Sequence, residues 1–353
     1  MLFKSLVFLF SVLTFSALAA PTSRIPILKH VGRVKEHSYI VQLKPEASKS
    51  THLARLPTSG LTLAYTYDQA FHGYAARLDT AALEQIRQSQ DVEAIYEDGI
   101  VMSDAVLSNA DNQTFSTRPI DTRENSSRRD GSSVDVYDIG TGIYTAHTSF
   151  GGRAHWGITF GGVSLAGIAV GTMYGIATQA NIYAVKSMSD SGSGAISDII
   201  AGINWVISSV KTSSRPSVVM LGAGGSVNTA LDAAVVSATS QGIHFIVPAP
   251  TSNAGTSSPA RVVSAVTVDV VGQSYTSGVD VCSKGTAVPC PSIQGPTASM
   301  TISAVGAAMA RVAGIVASVL GTYGNASPAS IETALKTHTS TTTNGCLVIN
   351  TPW

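Results

Sequence analysis

The sequence predicts an α/β fold with a mainly parallel sheet flanked by helices, preceded by a small α+β module. Three observations predict it. Beyond residue 134, short apolar runs rich in Val and Ile alternate with longer segments of helical period. Within residues 37–105, two strand patterns, a helix pattern and a further strand pattern follow one another. Between the two regions, residues 106–133 are polar and lack hydrophobic periodicity, which marks a linker or exposed loop.

In the first module, residues 38–43 and 70–78 read as strands, and 92–98 as a third. Residues 81–88 carry an amphipathic helical period with Thr80 as the expected cap. In the second region, strands are expected at 134–139, 181–187, 217–221, 244–247 and 263–271. Helices are expected at 195–210, 228–241, 302–320 and 328–337. Ser327-Pro328 opens the last of these well, with Ser as cap and Pro in the first turn. In such sheets ligands gather at the C-terminal ends of the strands. The loops after Ile139 and Val247 are therefore expected to line any cleft.

The 353 residues suffice for one large domain and a small one. Hydrophobic residues make up 44% and charged residues 12%, which suits a buried core and opposes disorder. Net charge is zero, so a basic footprint for nucleic acid or an acidic membrane is missing. Lys4, an apolar run over 6–18 and Ala17-Leu18-Ala19 read as a signal peptide spanning 1–19, cut after Ala19. Secretion is the expectation. That run is short for a membrane span, and the apolar stretch 302–320 carries Arg311 and reads as a core helix.

Secretion permits disulfides. Cys282, Cys290 and Cys346 allow at most one internal bridge and leave one thiol over; the sequence does not choose the pair. No cysteine or histidine spacing suggests a metal, and no cofactor is expected. Asn112, Asn125 and Asn325 head glycosylation sequons. Arg128-Arg129 is either a dibasic processing site cut after Arg129 or two solvated arginines.

Several fragments resemble a known family, in order and in register. Val136-Tyr137-Asp138-Ile139-Gly140-Thr141-Gly142-Ile143 resembles the subtilase strand V-x-V-I-D-T-G-I, and His147, Phe150, Gly152, Arg153 and Ala154 continue it. Tyr183-Ala184-Val185-Lys186-Ser187-Met188, Gly192-Ser193-Gly194, Ile199-Ile200-Ala201-Gly202-Ile203 and Val312-Ala313-Gly314 resemble further segments of proteinase K-like enzymes. In the first module, Tyr39 to Leu43, Tyr67 to Leu78 and Asp91 to Asp98 resemble the inhibitor-type subtilase prodomain. The resemblance implies a subtilisin-like domain at 134–353, a prodomain at 37–105, and that prodomain as the chain's own partner.

The departures bear on function. On this resemblance the catalytic Asp falls on Gly140, the catalytic His on Gly161, the nucleophilic Ser on Gly306 and the oxyanion Asn on Thr251. The strand that binds substrate backbone becomes Gly222-Ala223-Gly224-Gly225. In the triad Ser attacks, His takes its proton, Asp orients the His, and buried donors hold the oxyanion. Glycine supplies none of these. In subtilisin itself, losing the triad costs about two million-fold in turnover.

Neighbouring groups offer poor substitutes. Asp138 shares a strand face with Gly140 but lies about 6.6 Å along the chain. His147 matches a non-catalytic position, Ser303 precedes the nucleophile turn, and Asn253 follows the oxyanion position by two residues. The expectation is a proteolytically inactive homologue that binds a peptide or protein partner in the old cleft. The alternatives are altered chemistry in a glycine-lined cleft, or inhibition of an active subtilase through the prodomain.

Overall fold

The computed structural model describes residues 24–57, 59–103, 131–158, 165–251, 253–272, 277–339 and 341–353. The expected signal peptide with Ala19, the sites Asn112, Asn125 and Arg129, and Gly161 lie outside the described residues. The first module contains β1 (Ile27–Leu28), β2 (Val34–Leu43), α1 (Lys49–Arg55), β3 (Leu61–Tyr67), β4 (Gly73–Leu78), α2 (Thr80–Arg87) and β5 (Val92–Ser103).

The apolar run Ile40-Val41 reflects a sheet buried on both faces, the case in which strand alternation disappears. Val41, Ala76 and Ile95 pack with Leu83 and Ile86 of α2 in the module's own core. Ile40, Ala75 and Tyr96 face the other way, into a core shared with the larger domain. The helix expected at 81–88 spans Thr80–Arg87, and its cap is Asp79 rather than Thr80. The Asp79 carboxylate accepts the Ala82 N–H at 2.8 Å, so Thr80 becomes the first helical residue. Strand β3 and helix α1 were not foreseen. The outer strand β3 is largely exposed, so burial imposes little pattern on it.

The larger domain runs β6 (Asp135–Gly140), β7 (Ala154–Ile158), α3 (Ala166–Val170), β8 (Asn181–Lys186), β9 (Ser193–Ala195), α4 (Ile196–Ser213), β10 (Ser217–Leu221) and β11 (Ala223–Ser226). It continues with α5 (Thr229–Ser240), β12 (His244–Pro248), β13 (Ser257–Ser258), β14 (Val266–Val270), β15 (Val281–Ser283), β16 (Val288–Pro291) and β17 (Ser299–Ile302). It ends with α6 (Val305–Tyr323), α7 (Pro328–Thr337), β18 (Thr341–Thr343) and β19 (Cys346–Val348).

The main sheet has the order β18-β19-β15-β14-β12-β10-β6-β8-β7. Every neighbouring pair is parallel except β18 with β19. Val136, Val218, Ile246 and Val268 face α3 and α6 on one side. Tyr137, Ile139, Val219 and Phe245 face α4 and α5 on the other. Helix α6 is long and apolar enough to cross a membrane but is the central core helix, as its sequence suggested. Gly314 lets it touch α3: a Cβ there would stand 2.7 Å from the Ala169 carbonyl oxygen.

Cys282 pairs with Cys346, tying β15 to β19. The bridge closes a separation of 64 residues that includes α6, a loop whose closure in the unfolded chain corresponds to about 4 kcal/mol in the chain-entropy picture. Cys290 is the thiol left over; burial pushes it up to about 12.

Candidate functional site

Strand β5 belongs to both domains. Its first half sits between β1 and β2, with Ile95 opposite Ile27 on one edge and Val41 on the other. Its last residues leave the module and lie between β9 and β11 of the larger domain, antiparallel to both. Ile100, Val101 and Met102 face Ala195, Gly194 and Ser193. Met102 and Ser103 face Gly224 and Ala223. The Ser103 N–H donates to the Gly192 carbonyl at 2.6 Å. This is strand addition: ladder hydrogen bonds hold an extended segment, and alternate side chains enter pockets.

The glycines of β11 make room for it. A Cβ on Gly225 would stand 3.1 Å from Cγ1 of Val101, which is buried, while Met102 points outward and is 48% exposed. Beyond Gly224 and Gly225 lies a cavity of about 290 Å³, walled by Pro248, Pro250, Thr251 and Ser257.

The module is anchored chiefly on α4. That helix has no side-chain cap of its own, since Ala195 occupies the position. The buried carboxylate of Asp98 in β5 substitutes, accepting the Ser197 N–H at 2.9 Å. It also accepts the Ser197 and Ser38 hydroxyls, each at 2.7 Å. Burial raises the Asp98 carboxyl, and these hydrogen bonds oppose the rise. Further along α4, the Asn204 side-chain oxygen accepts three successive backbone N–H groups, from Asp68, Gln69 and Ala70. The Tyr67 hydroxyl donates to the Ser197 carbonyl at 2.9 Å.

Residues 38–103 match the peptidase inhibitor I9 family. The chain is 35% identical over 292 residues to subtilisin-like protease 2 of Pseudogymnoascus destructans, covering 75% of this chain and 72% of that one. This chain belongs to the subtilisin-like protease family. It is 32% identical over 306 residues to alkaline serine exoprotease A of Vibrio alginolyticus, with 78% of this chain aligned to 56% of the relative's length. The crystal structure of a cold-adapted subtilisin-like serine proteinase superposes with TM-score 0.57 at 31% identity, over 64% of this chain and 89% of that chain. Fervidolysin from Fervidobacterium pennivorans shares the fold at TM-score 0.71 and 16% identity, over 92% of this chain and 61% of its own.

In this subtilisin-like chain, Gly140 ends β6 and is buried. Its carbonyl accepts the Ser187 and Met188 N–H groups at 3.1 Å. Among the described residues, a Cβ on Gly140 would meet one atom within 4 Å, Oδ1 of Asp138 at 3.6 Å. Gly306 is buried in the first turn of α6, whose N-cap Ala304 makes no side-chain cap bond. Gly222 follows β10, next to β6 in the sheet. A Cβ on it would touch Cε of Met309 at 3.7 Å and Cδ1 of Leu165 at 3.9 Å, so the starts of α3 and α6 converge at this end of the sheet. Gly140, Gly222 and the first turn of α6 thus share one end of the sheet. Thr251 is exposed on the wall of the cavity beside β11, three residues past the end of β12.

The neighbouring polar groups are committed elsewhere. His147 is buried; its Nδ1 accepts the Ser149 N–H at 3.1 Å, and its Nε2 meets the Ala298 carbonyl at 2.8 Å. The Ser303 hydroxyl accepts the Ala287 N–H at 3.0 Å. The Asn253 side-chain oxygen caps a short turn through the Gly255 N–H at 2.8 Å. Among the described residues, Asp138 is the exception. It is 5% exposed and shares the strand face of Gly140, and burial pushes its carboxyl up to about 7. Among the described residues, no group of three or more His, Cys, Asp or Glu could hold a metal ion.

Sequence reasoning missed the tail of β5, the wall strand β9, and the anchors Asp98 and Asn204. The triplet Gly192-Ser193-Gly194 was visible as a family fragment, but its pairing with β5 has no local signature.

Proposed function

We propose that this is a secreted subtilisin-like protease homologue that does not hydrolyse peptides. It acts by holding a peptide or protein partner in the cleft where β5 now lies. The observation that carries this reading is glycine at the end of β6 and in the first turn of α6, positions 140 and 306. The resemblance assigns these to the orienting carboxylate and the nucleophile. A glycine has no oxygen to attack with and no charge to orient a base. Gly161 completes the reading from the sequence alone.

The backbone machinery for an extended peptide supports the binding part. Strands β9 and β11 offer ladder groups on both edges of one segment. A cavity adjoins β11 for a side chain. Asn325, exposed just ahead of the α7 cap Ser327, suits a glycosylated secreted chain. A second reading, inhibition of an active subtilase in trans, draws on the inhibitor I9 match alone.

The test is hydrolysis of casein and fluorogenic peptides by the purified chain, together with labelling by a fluorophosphonate probe. Neither turnover nor labelling is expected. Labelling of a residue in the cleft would overturn the reading.

A further inference from the structure

We propose that residues 29–33, upstream of the inhibitor-family match at 38–103, form a clasp that holds β5 in the cleft. The proposal rests on the reading that β5 occupies the cleft in the folded protein.

The chain path supplies the geometry. β1 runs parallel to β5 along one edge, with Leu28 opposite Tyr96. β2 runs antiparallel along the other edge, with Val34 opposite Gly99 and Ile40 opposite Tyr96. The five residues between β1 and β2 must therefore cross β5 from edge to edge. They cross at Gly99, where β5 leaves the module for the cleft. A Cβ on Gly99 would stand 2.5 Å from Cγ and Nδ1 of His30, so the imidazole lies on the backbone where a side chain would otherwise be. Gly32 turns the crossing back at φ +128°, a region that favours glycine.

The crossing is bonded on both sides. The His30 N–H donates to the Glu97 carboxylate at 3.0 Å, and the Lys29 ammonium lies 3.1 Å from the same group. The Ile100 N–H donates to the Arg33 carbonyl at 2.7 Å. The latch is Ser226, at the end of β11 in the larger domain. Its hydroxyl donates to the Val31 carbonyl at 2.6 Å. The clasp is thus tied to the cleft wall as well as to β5. Withdrawing β5 means lifting residues 29–33 and breaking the Ser226 bond. A partner that replaces β5 must open the clasp first.

Hydrogen exchange on the full secreted chain tests this, reading the amides of Ile100–Ser103 against those of β6 and β10. The variants are Ser226→Ala, which removes the latch, and Gly99→Ala, which pushes His30 off the strand. Loss of one hydrogen bond corresponds to roughly fivefold faster local exchange. That acceleration is expected at 100–103 in both variants, with β6 and β10 unchanged, and Ser226→Thr should restore protection. Protection at 100–103 that is unchanged in both variants would overturn the clasp. Acceleration spread equally over β6 and β10 would also overturn it, as general destabilisation. Free exchange at 100–103 in the unmodified protein would instead remove the reading beneath it.

Discussion

Asp98 and Ser197 meet across the two domains: the carboxylate of one takes both the backbone N–H and the hydroxyl of the other, at 2.9 and 2.7 Å. An 18-residue helix of the larger domain is therefore capped by the small one. Replacing Asp98 with Ala leaves that N–H and two hydroxyls without their buried acceptor. The expected loss of unfolding free energy is about 2–4 kcal/mol. Denaturant unfolding measures it, and a change below about 0.5 kcal/mol, the range of surface substitutions, would show that the cap is dispensable.

Asp138 should make stability fall as pH rises from about 4 to about 7. Its folded value of about 7 lies above the unfolded value of 3.8. A raised carboxyl contributes stability that is full below the unfolded value and is lost as pH rises through the folded one. Asp138→Asn cannot ionise. It should match the parent near pH 3.5, gain on it from about pH 4 upward, and level off above about 7 with an advantage of a few kcal/mol. Melting temperatures across this range decide it; an advantage independent of pH would point to packing instead.

His244 acts in the opposite direction. It is buried at the start of β12, and desolvation lowers it to about 4 from 6.5, against hydrogen bonds with Asn325 and Ala326 that raise it. A depressed histidine contributes stability that is present above the unfolded value and is lost as pH falls through the folded one. The loss should run from about pH 6.5 down to about 4 and amount to roughly 3 kcal/mol. A His244→Phe variant should show a flatter acid limb. Equal acid limbs in the two proteins would clear His244 of the effect.

On the proposed triad positions 140, 161 and 306, restoration also needs a change at Asp138. Gly140→Asp would set a second carboxyl beside Asp138, whose Oδ1 is 3.6 Å from the new Cβ. Two carboxylates that close do not both ionise readily, so the introduced Asp would be hindered as an orienter. Single restorations at 140, 161 and 306 should stay inactive, since triad members act as a unit. The triple restoration should gain activity when Asp138→Val is added, and a further gain with Thr251→Asn is expected from the oxyanion position. Fluorogenic-peptide hydrolysis reads the series. Equal rates with and without the Asp138→Val change would refute the conflict.

The parallel core was legible because its strands are short, apolar and buried on both sides. β10 spans the residues expected, and β6, β8 and β12 fall within a residue of expectation. Helix α7 was legible from its Ser327-Pro328 start. The proposed roles of positions 140, 222 and 306 rest only on register with a family pattern; nothing in their own surroundings marks a catalytic position. Contacts between domains were illegible. Asn204 reads as an ordinary polar residue on a helix, and its three N–H donors come from residues more than 130 positions away. The cysteine pair was undecidable for the same reason: only the adjacency of β15 and β19 selects Cys346 for Cys282.

The double membership of β5 has a mechanical consequence. Ile95 and Met102 lie on one uninterrupted strand, yet the first is held by β1 and β2 and the second by β9 and β11. Tension applied at either end travels along a single backbone with no hinge between. Disturbance of β5 in the small domain and its release from β9 and β11 are therefore linked through one backbone. On the proposal that a partner replaces β5, the rate of that exchange should fall as the module's own core of Val41, Ala76 and Ile95 holds β5 more firmly.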